Sequence, residues 1–377
     1  MHMISSQLRI GMTGLLAACL CTAAMGETPQ LQKISASPAL IPLPMSIGGR
    51  VRTIHSSSPV GSGSEEYQYQ WPGTYFETTF IGSELYFRIG TNHEILHVVV
   101  DRQAPLVLVN PEVGVYRLSG LANGPHSASV LVVTESQEAP NSFGGFDIVA
   151  GEKPLPLKKR SRQIEFIGDS YTVGYGNTSP KQECSTDEVW ATTDNSKAFG
   201  PLTANHYQAD YQINAVSGRG IVRNYNGTLG DILPAAYPYL LFDKKQDYAN
   251  PNWKPQIIVI ALGTNDFATP LNPGERWKTR DELYSDYEKT YVHFIQSLRA
   301  GNPDAYIILW ATDMADGEAQ KVAQEAKAQG EMKISFIPVD HLLFSGCHWH
   351  PSLADDQTIR DKLVQFIDSN PTIWQGK

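Results

Sequence analysis

The chain has 377 residues, 41% of them hydrophobic, and 30 Lys and Arg against 39 Asp and Glu give a formal charge of −9 and a pI near 5.6. That length allows two domains, and the acidic balance argues against nucleic acid or an anionic membrane as partner. An acidic chain with 7 Trp and 17 Tyr suits a neutral ligand such as a sugar, and a monomer is expected.

Residues 1–26 read as an export signal. Arg9 precedes an apolar run from Ile10 to Cys21 that is too short to span a bilayer, and small residues follow. Two processing routes fit. Leu16-Ala17-Ala18-Cys19 resembles a lipobox, which would leave Cys19 as a lipidated terminus, whereas ordinary cleavage would follow Ala24-Met25-Gly26. The protein is therefore expected to be secreted or periplasmic, or anchored through Cys19. With Cys19 and Cys21 assigned to the signal, Cys184 and Cys347 remain as one pair in an oxidising compartment, where a disulfide is the natural expectation. Their spacing fits no zinc motif, and neither metal nor other cofactor is expected.

Residues 27–50 are rich in Pro and Ser without periodicity and read as a linker. From 51 to 150, short alternating runs such as Tyr75–Phe80, Leu85–Ile89, His97–Val100 and Ser129–Val133 lie between Gly, Asn and Pro turns. This texture predicts an antiparallel β-sandwich. The Pro-rich, basic stretch 151–163 reads as a second, solvated linker. From 164 to 377 the pattern changes to strand–helix alternation. Strands are predicted at Ile164–Ile167, Tyr211–Val216, Ile257–Leu262, Ala305–Trp310 and Ile334–Val339. Helices are predicted over Asp281–Ala300, Ala315–Gln329 and Asp355–Asp368. Five strands with crossovers imply a parallel sheet covered on both faces.

Four segments would gather at one edge of that sheet: Gly168-Asp169-Ser170, Ser217-Gly218-Arg219-Gly220, Gly263-Thr264-Asn265-Asp266 and Cys347-His348-Trp349-His350-Pro351-Ser352. Ester hydrolysis needs a nucleophile, a base and donors for a tetrahedral oxyanion. Ser170 would be the nucleophile and His350 the base. The backbone N–H groups of Ser170 and Gly218 and the side-chain amide of Asn265 would be the donors. A side chain at Gly218 would crowd the oxygen being stabilised.

On these residues the carboxyl-terminal half resembles an SGNH (GDSL-type) hydrolase, with Ser170, Gly218, Asn265 and His350 matching its four diagnostic positions. From about residue 50 onward the chain further resembles carbohydrate esterase family 2, through Ile167–Thr172, Ser217–Tyr225, the terminal Cys-x-x-His-Pro-Ser and the preceding sandwich. The resemblance implies an amino-terminal jelly roll packed on a flavodoxin-like, three-layer hydrolase domain with a five-stranded parallel sheet. It also implies removal of acetyl groups from xylan or glucomannan, with preference for the sugar 6-position.

The chain departs from that pattern at the position three before the histidine, where most SGNH enzymes carry aspartate and this sequence has Cys347; His348, two before, is a poor orienter. A Ser170–His350 dyad is expected, its ring N–H given to a backbone carbonyl, with Asp169 organising the turn. A Cys184–Cys347 bridge would restrain the histidine loop. Trp349 is a candidate sugar platform or a core residue, and Tyr171 and Trp190 are weaker candidates for the same wall. Arg219 and Arg223 are expected in structural salt bridges. Two other functions stay open, a general GDSL esterase or lipase of small acyl esters and a non-catalytic carbohydrate-binding protein.

Overall fold

The computed structural model describes residues 28–375 apart from 37, 56–64, 92 and 313. The export signal, both cleavage routes, Cys19 and Cys21 lie outside the described residues. Among the described residues, no helix is long and apolar enough to cross a membrane.

The amino-terminal half is a sandwich of two antiparallel sheets. Among the described residues, one sheet has seven strands, in the order Gln30–Ile34, Gly114–Ser119, Leu85–Ile89, Asn141–Val149, Glu65–Tyr69 and Val51–His55, with Leu40–Pro42 joined to Asn141–Val149. The other has six, in the order Lys153–Pro154, Tyr75–Gly82, Gly124–Val132, Ile95–Val100 and Leu106–Val109, with Ser46–Gly48 joined to Tyr75–Gly82. Alternation drives the packing: in Gly114–Ser119 every second residue is buried, and Phe76, Phe80, Phe87, Phe143 and Phe146 fill the space between the sheets.

Both linker assignments need correction. Residues 30–48 contribute three strands, with Leu31 facing Leu118 and Ile47 facing Phe76. Strands this short, broken by Pro and Ser, carry no period of their own and gain order only from the ladders they join. In the second stretch Lys153 and Pro154 pair with Ile81 and Phe80. Arg160 reaches Glu77 and Asp210 at 2.7 Å each, so it clamps the halves together rather than lying free in solvent.

The second half has five parallel strands: β1 (Gln163–Gly168), β2 (Asp210–Ala215), β3 (Ile257–Ala261), β4 (Tyr306–Ala311) and β5 (Ile334–Pro338). Their order is β2-β1-β3-β4-β5. A single helical turn, α1 (Ser170–Val173), follows β1, and α2 (Thr186–Thr192) follows that. Helices α3 (Arg280–Gly301) and α4 (Asp316–Ala328) cover one face; α5 (Leu353–Ser369) and the helix Phe199–His206 cover the other. Leu283, Tyr287, Tyr291, Phe294 and Leu298 are all buried on α3, the face its periodicity predicted. The chain reverses direction of winding about β1, and the carboxyl ends of β1, β2 and β3 open onto that switch point.

The two halves share a buried contact. Arg50 is 1% exposed, its guanidinium 4.4 Å from the Tyr237 ring centre and 4.3 Å from that of Tyr248, and 3.4 Å from the Glu165 carboxylate on β1. Asn214, Tyr237 and Trp253 also donate to Glu165. Trp71 donates its indole N–H to the Leu240 carbonyl at 3.0 Å.

Candidate active site

Glycine is required where β1 meets α1, because a Cβ on Gly168 would lie 1.9 Å from the Thr172 hydroxyl and 3.0 Å from the Ala261 carbonyl of β3. The next residue, Asp169, caps α1 by accepting from the Tyr171 N–H at 3.1 Å, and Gly174 ends the turn at φ +79°. Ser170 is thereby fixed at the sheet edge, 5% exposed.

Its hydroxyl lies 2.9 Å from His350 Nε2. His350 Nδ1 lies 3.0 Å from the Cys347 carbonyl and 3.1 Å from that of His348. Carbonyls only accept, so Nδ1 carries the proton and Nε2 presents its lone pair to the serine. The imidazole packs against Tyr175, centroids 4.4 Å apart, and edge-on to Tyr171 at 5.4 Å. Burial among these rings lowers its pKa to about 4, the two carbonyls opposing the shift. No carboxylate of the described residues touches the ring. Asp355 accepts from Leu343, Phe344 and Ser352, and Asp340 lies beside Lys362 at 3.6 Å.

The histidine loop is held from beneath. Cys347 and Cys184 form a disulfide with a Cα–Cα distance of 5.6 Å, tying the segment before α2 to the residue whose carbonyl orients His350. His348 sits in left-handed backbone, φ +52°, and donates Nε2–H to the Cys184 carbonyl at 2.8 Å while accepting from the Tyr175 hydroxyl at 3.1 Å. Gly176 passes directly under the bridge, where a Cβ would lie 2.4 Å from Cβ of Cys347.

Opposite the histidine stand the candidate anion donors. Gly218 has φ +81°, and a Cβ there would meet nothing within 4 Å, so the space beside it is open. No described residue accepts from the N–H of Ser170 or Gly218. The Asn265 amide is fully engaged, giving one hydrogen to Asp169 at 3.0 Å and the other to the Arg219 carbonyl at 2.9 Å. Asp169 thus links the first and third segments and does not touch His350; burial raises its pKa to about 7. The Asp266 carboxylate collects the N–H groups of Ile221, Val222 and Arg223, fixing the second segment to the third. Arg223 pairs with Glu275 at 2.6 Å as expected, whereas Arg219 forms no ion pair among the described residues.

A cavity of about 500 Å3 adjoins this cluster, lined by Tyr171, Thr312, Met314, Leu342, Phe344 and Trp349 among others. Tyr171 follows Ser170 and Trp349 precedes His350, so the cavity adjoins the Ser170–His350 hydrogen bond. Trp349 is 58% exposed, which excludes the core-packing role. Trp190 does not join the cavity wall: its ring stacks on His93 of the sandwich at 5.3 Å. Sequence reasoning missed Tyr175, for which only its place on the turn after Ser170 was a hint. It also missed Glu135 and Gln137 of the sandwich, which reach Ser217 without any motif to mark them.

A serine hydroxyl beside a neutral, half-buried imidazole, with open N–H donors and an adjoining apolar cavity, suits acyl transfer. Residues 60–157 match the family described as Carbohydrate esterase 2 N-terminal, and residues 166–359 the GDSL-like Lipase/Acylhydrolase family. The chain is 45% identical to an acetylxylan esterase / glucomannan deacetylase of Cellvibrio japonicus (strain Ueda107), over 96% of this chain and 98% of that protein. Among solved structures, a carbohydrate esterase with divergent catalytic and non-catalytic binding functions in its active site superposes with TM-score 0.82. It is 45% identical, covering 89% of this chain and 100% of that one. A family two carbohydrate esterase from Clostridium thermocellum, in complex with cellohexaose, gives TM-score 0.73 at 26% identity, covering 88% and 100%. The two family matches and a relative this similar over nearly its whole length place the chain in one group: it belongs to carbohydrate esterase family 2, an esterase whose carboxyl-terminal half is a GDSL-type hydrolase.

Proposed function

We propose that this esterase removes O-acetyl groups from plant cell-wall polysaccharide through an acetyl-serine intermediate on Ser170. His350 Nε2 takes the hydroxyl proton as Ser170 attacks the acetyl carbonyl. The tetrahedral oxyanion is met by the N–H groups of Ser170 and Gly218 and by the Asn265 amide. For Asn265 this means drawing one hydrogen from the Arg219 carbonyl, a favourable exchange because an anionic oxygen accepts more strongly than a neutral one. His350 then protonates the departing sugar oxygen. In the second half it activates water, acetate leaves, and Ser170 recovers its proton.

The observation that carries the substrate class is the 45% identity, across 96% of the chain, with an acetylxylan esterase / glucomannan deacetylase. The buried nucleophile supports the choice of position, since an ester on a primary 6-hydroxyl extends one carbon further from the ring towards Ser170. Xylan, a pentose polymer without that carbon, is then the poorer substrate. The exposed face of Trp349 supplies a platform for the sugar ring, with Tyr171 behind it. The enzyme acts as a monomer outside the cytoplasm, released or held by lipid on Cys19, and the Cys184–Cys347 bridge supports that compartment.

The test is acetate release from acetylated glucomannan and acetylated xylan, wild type beside Ser170→Ala. Release by wild type alone, faster from glucomannan, supports the proposal. No release from either, with chromogenic acetate still cleaved, would assign the serine to another natural ester. Faster cleavage of butyryl and longer esters than of acetyl would favour a general esterase or lipase.

A further inference from the structure

The turn carrying Gly218 is held from outside its own domain. Arg219 donates to the Val216 carbonyl at 3.2 Å, closing a four-residue turn, and φ +81° at Gly218 marks the type II form. Types I and II differ by a half rotation of the central peptide, here Ser217 C=O to Gly218 N–H. Glycine in the third position tolerates both. Because the peptide is planar and trans, C=O and N–H point in opposite directions, so whatever fixes the Ser217 oxygen also aims the Gly218 N–H.

Two sandwich residues do this. Gln137 donates Nε2–H to the Ser217 carbonyl at 3.1 Å and to Glu135 Oε1 at 3.2 Å. Glu135 Oε1 accepts from the Ser217 N–H at 2.7 Å. Both ends of Ser217 are therefore gripped by one hydrogen-bonded pair, and the pair is itself tethered where Gln70 donates to the Gln137 carbonyl at 3.2 Å. The half-buried Glu135 forms no ion pair among the described residues; its hydrogen bonds are those to the Ser217 N–H and to Gln137.

We propose that Glu135 and Gln137 are positioning residues for the oxyanion hole, holding the Val216–Arg219 turn in the form that presents the Gly218 N–H to the developing anion. The sandwich is then part of the reaction machinery, acting through one peptide plane. This rests on Gly218 and Asn265 being the oxyanion donors, and the experiment separates the two ideas.

Gln137→Ala is compared with wild type, Glu135→Ala, Glu135→Gln and Asn265→Ala in the full-length protein. Removing a donor outright costs about a hundredfold to a thousandfold in kcat, so a turn left in its productive form only about 3–10% of the time should lose about tenfold to thirtyfold, with KM for nitrophenyl acetate within about twofold. Inhibition by an alkyl boronic acid, whose tetrahedral adduct on Ser170 places an oxygen in the hole, should weaken by a similar factor. Glu135→Gln keeps an acceptor oxygen for the Ser217 N–H and should stay near wild type while Glu135→Ala falls. Wild-type kcat in Gln137→Ala and Glu135→Ala with an impaired Asn265→Ala would overturn the clamp alone; an unimpaired Asn265→Ala as well would sink the oxyanion assignment. A rise confined to KM, with boronate inhibition intact, would make the pair substrate contacts and overturn the proposal. Should either alanine variant misfold, the comparison is read from the other.

Discussion

Replacing Cys184 with serine should damage turnover more than binding. The bridge joins residues 163 apart in sequence. Closing so long a loop restricts the unfolded chain by about 5 kcal/mol at 25 °C in the chain-entropy account, an upper figure that measured losses seldom reach; about 3 kcal/mol is expected here. With an unfolding entropy of about 2.1 cal/mol/K per residue, that lowers Tm by about 4 °C. The catalytic effect is separate. Without the bridge, the histidine loop is still held by the bonds of Cys347 N–H to Gly176, His348 N–H to Gln182 and His348 Nε2–H to Cys184, but Cys347 loses its only covalent anchor outside the backbone. If the ring is aligned in about one molecule in ten, kcat falls about tenfold, equivalent to about 1.4 kcal/mol. KM should stay within about twofold, because most of the cavity wall comes from residues 312–344. The assay is nitrophenyl acetate turnover at 25 °C alongside a thermal melt, with wild type under thiol reductant as a second route to the open state. Wild-type kcat in Cys184→Ser would refute the reasoning.

Other expectations follow from individual contacts. The proposed mechanism needs His350 neutral, and desolvation lowers its pKa to about 4, so kcat/KM should rise with pH through about 4 and be level by the ordinary histidine range; an acid limb centred near 6.5 would show that the ring is not desolvated in solution. Arg50→Met strands the Glu165 carboxylate in the interface and should cost about 3–5 kcal/mol, read by urea unfolding, with Arg50→Met/Glu165→Gln recovering much of it. An equally unstable double variant would assign the loss to packing. Trp349→Ala should raise KM for acetylated polysaccharide about threefold to tenfold, from about 0.5–1.5 kcal/mol of ring contact, while leaving KM for nitrophenyl acetate unchanged. A parallel rise for both substrates would place the indole in the reaction centre instead.

What could be read ahead of the structure was whatever repeats locally. Five apolar strand runs and the Leu283–Leu298 stripe declare their periods within a few residues, and the strand order then gathers Ser170, Gly218 and Asn265 at one edge. Gln30–Ile34 escaped because half its alternation is polar and its order comes from Gly114–Ser119, far along the chain. Trp190 is a weak candidate for the substrate wall by residue type, and no local pattern shows that its neighbour, His93, lies in the other domain. Glu135 and Gln137 meet Ser217 from about eighty residues away, and no spacing rule connects an acid in a sandwich loop with a turn in a parallel sheet. The engaged hydrogens of Asn265 depend on the Arg219 carbonyl direction, a backbone detail that side-chain motifs do not encode.

The stacked guanidinium of Arg50 bears on how this molecule comes apart. A cation between two tyrosine rings, with its counter-ion on the neighbouring domain's first strand, cannot be wetted piecemeal, since separating the halves exposes both charges together. Partly opened forms are therefore high in free energy, and the two halves should melt in one calorimetric peak despite having separate apolar cores. Evolution can then lengthen or trim loops on either half, but it cannot swap the sandwich for another carbohydrate module as beads on a string are exchanged.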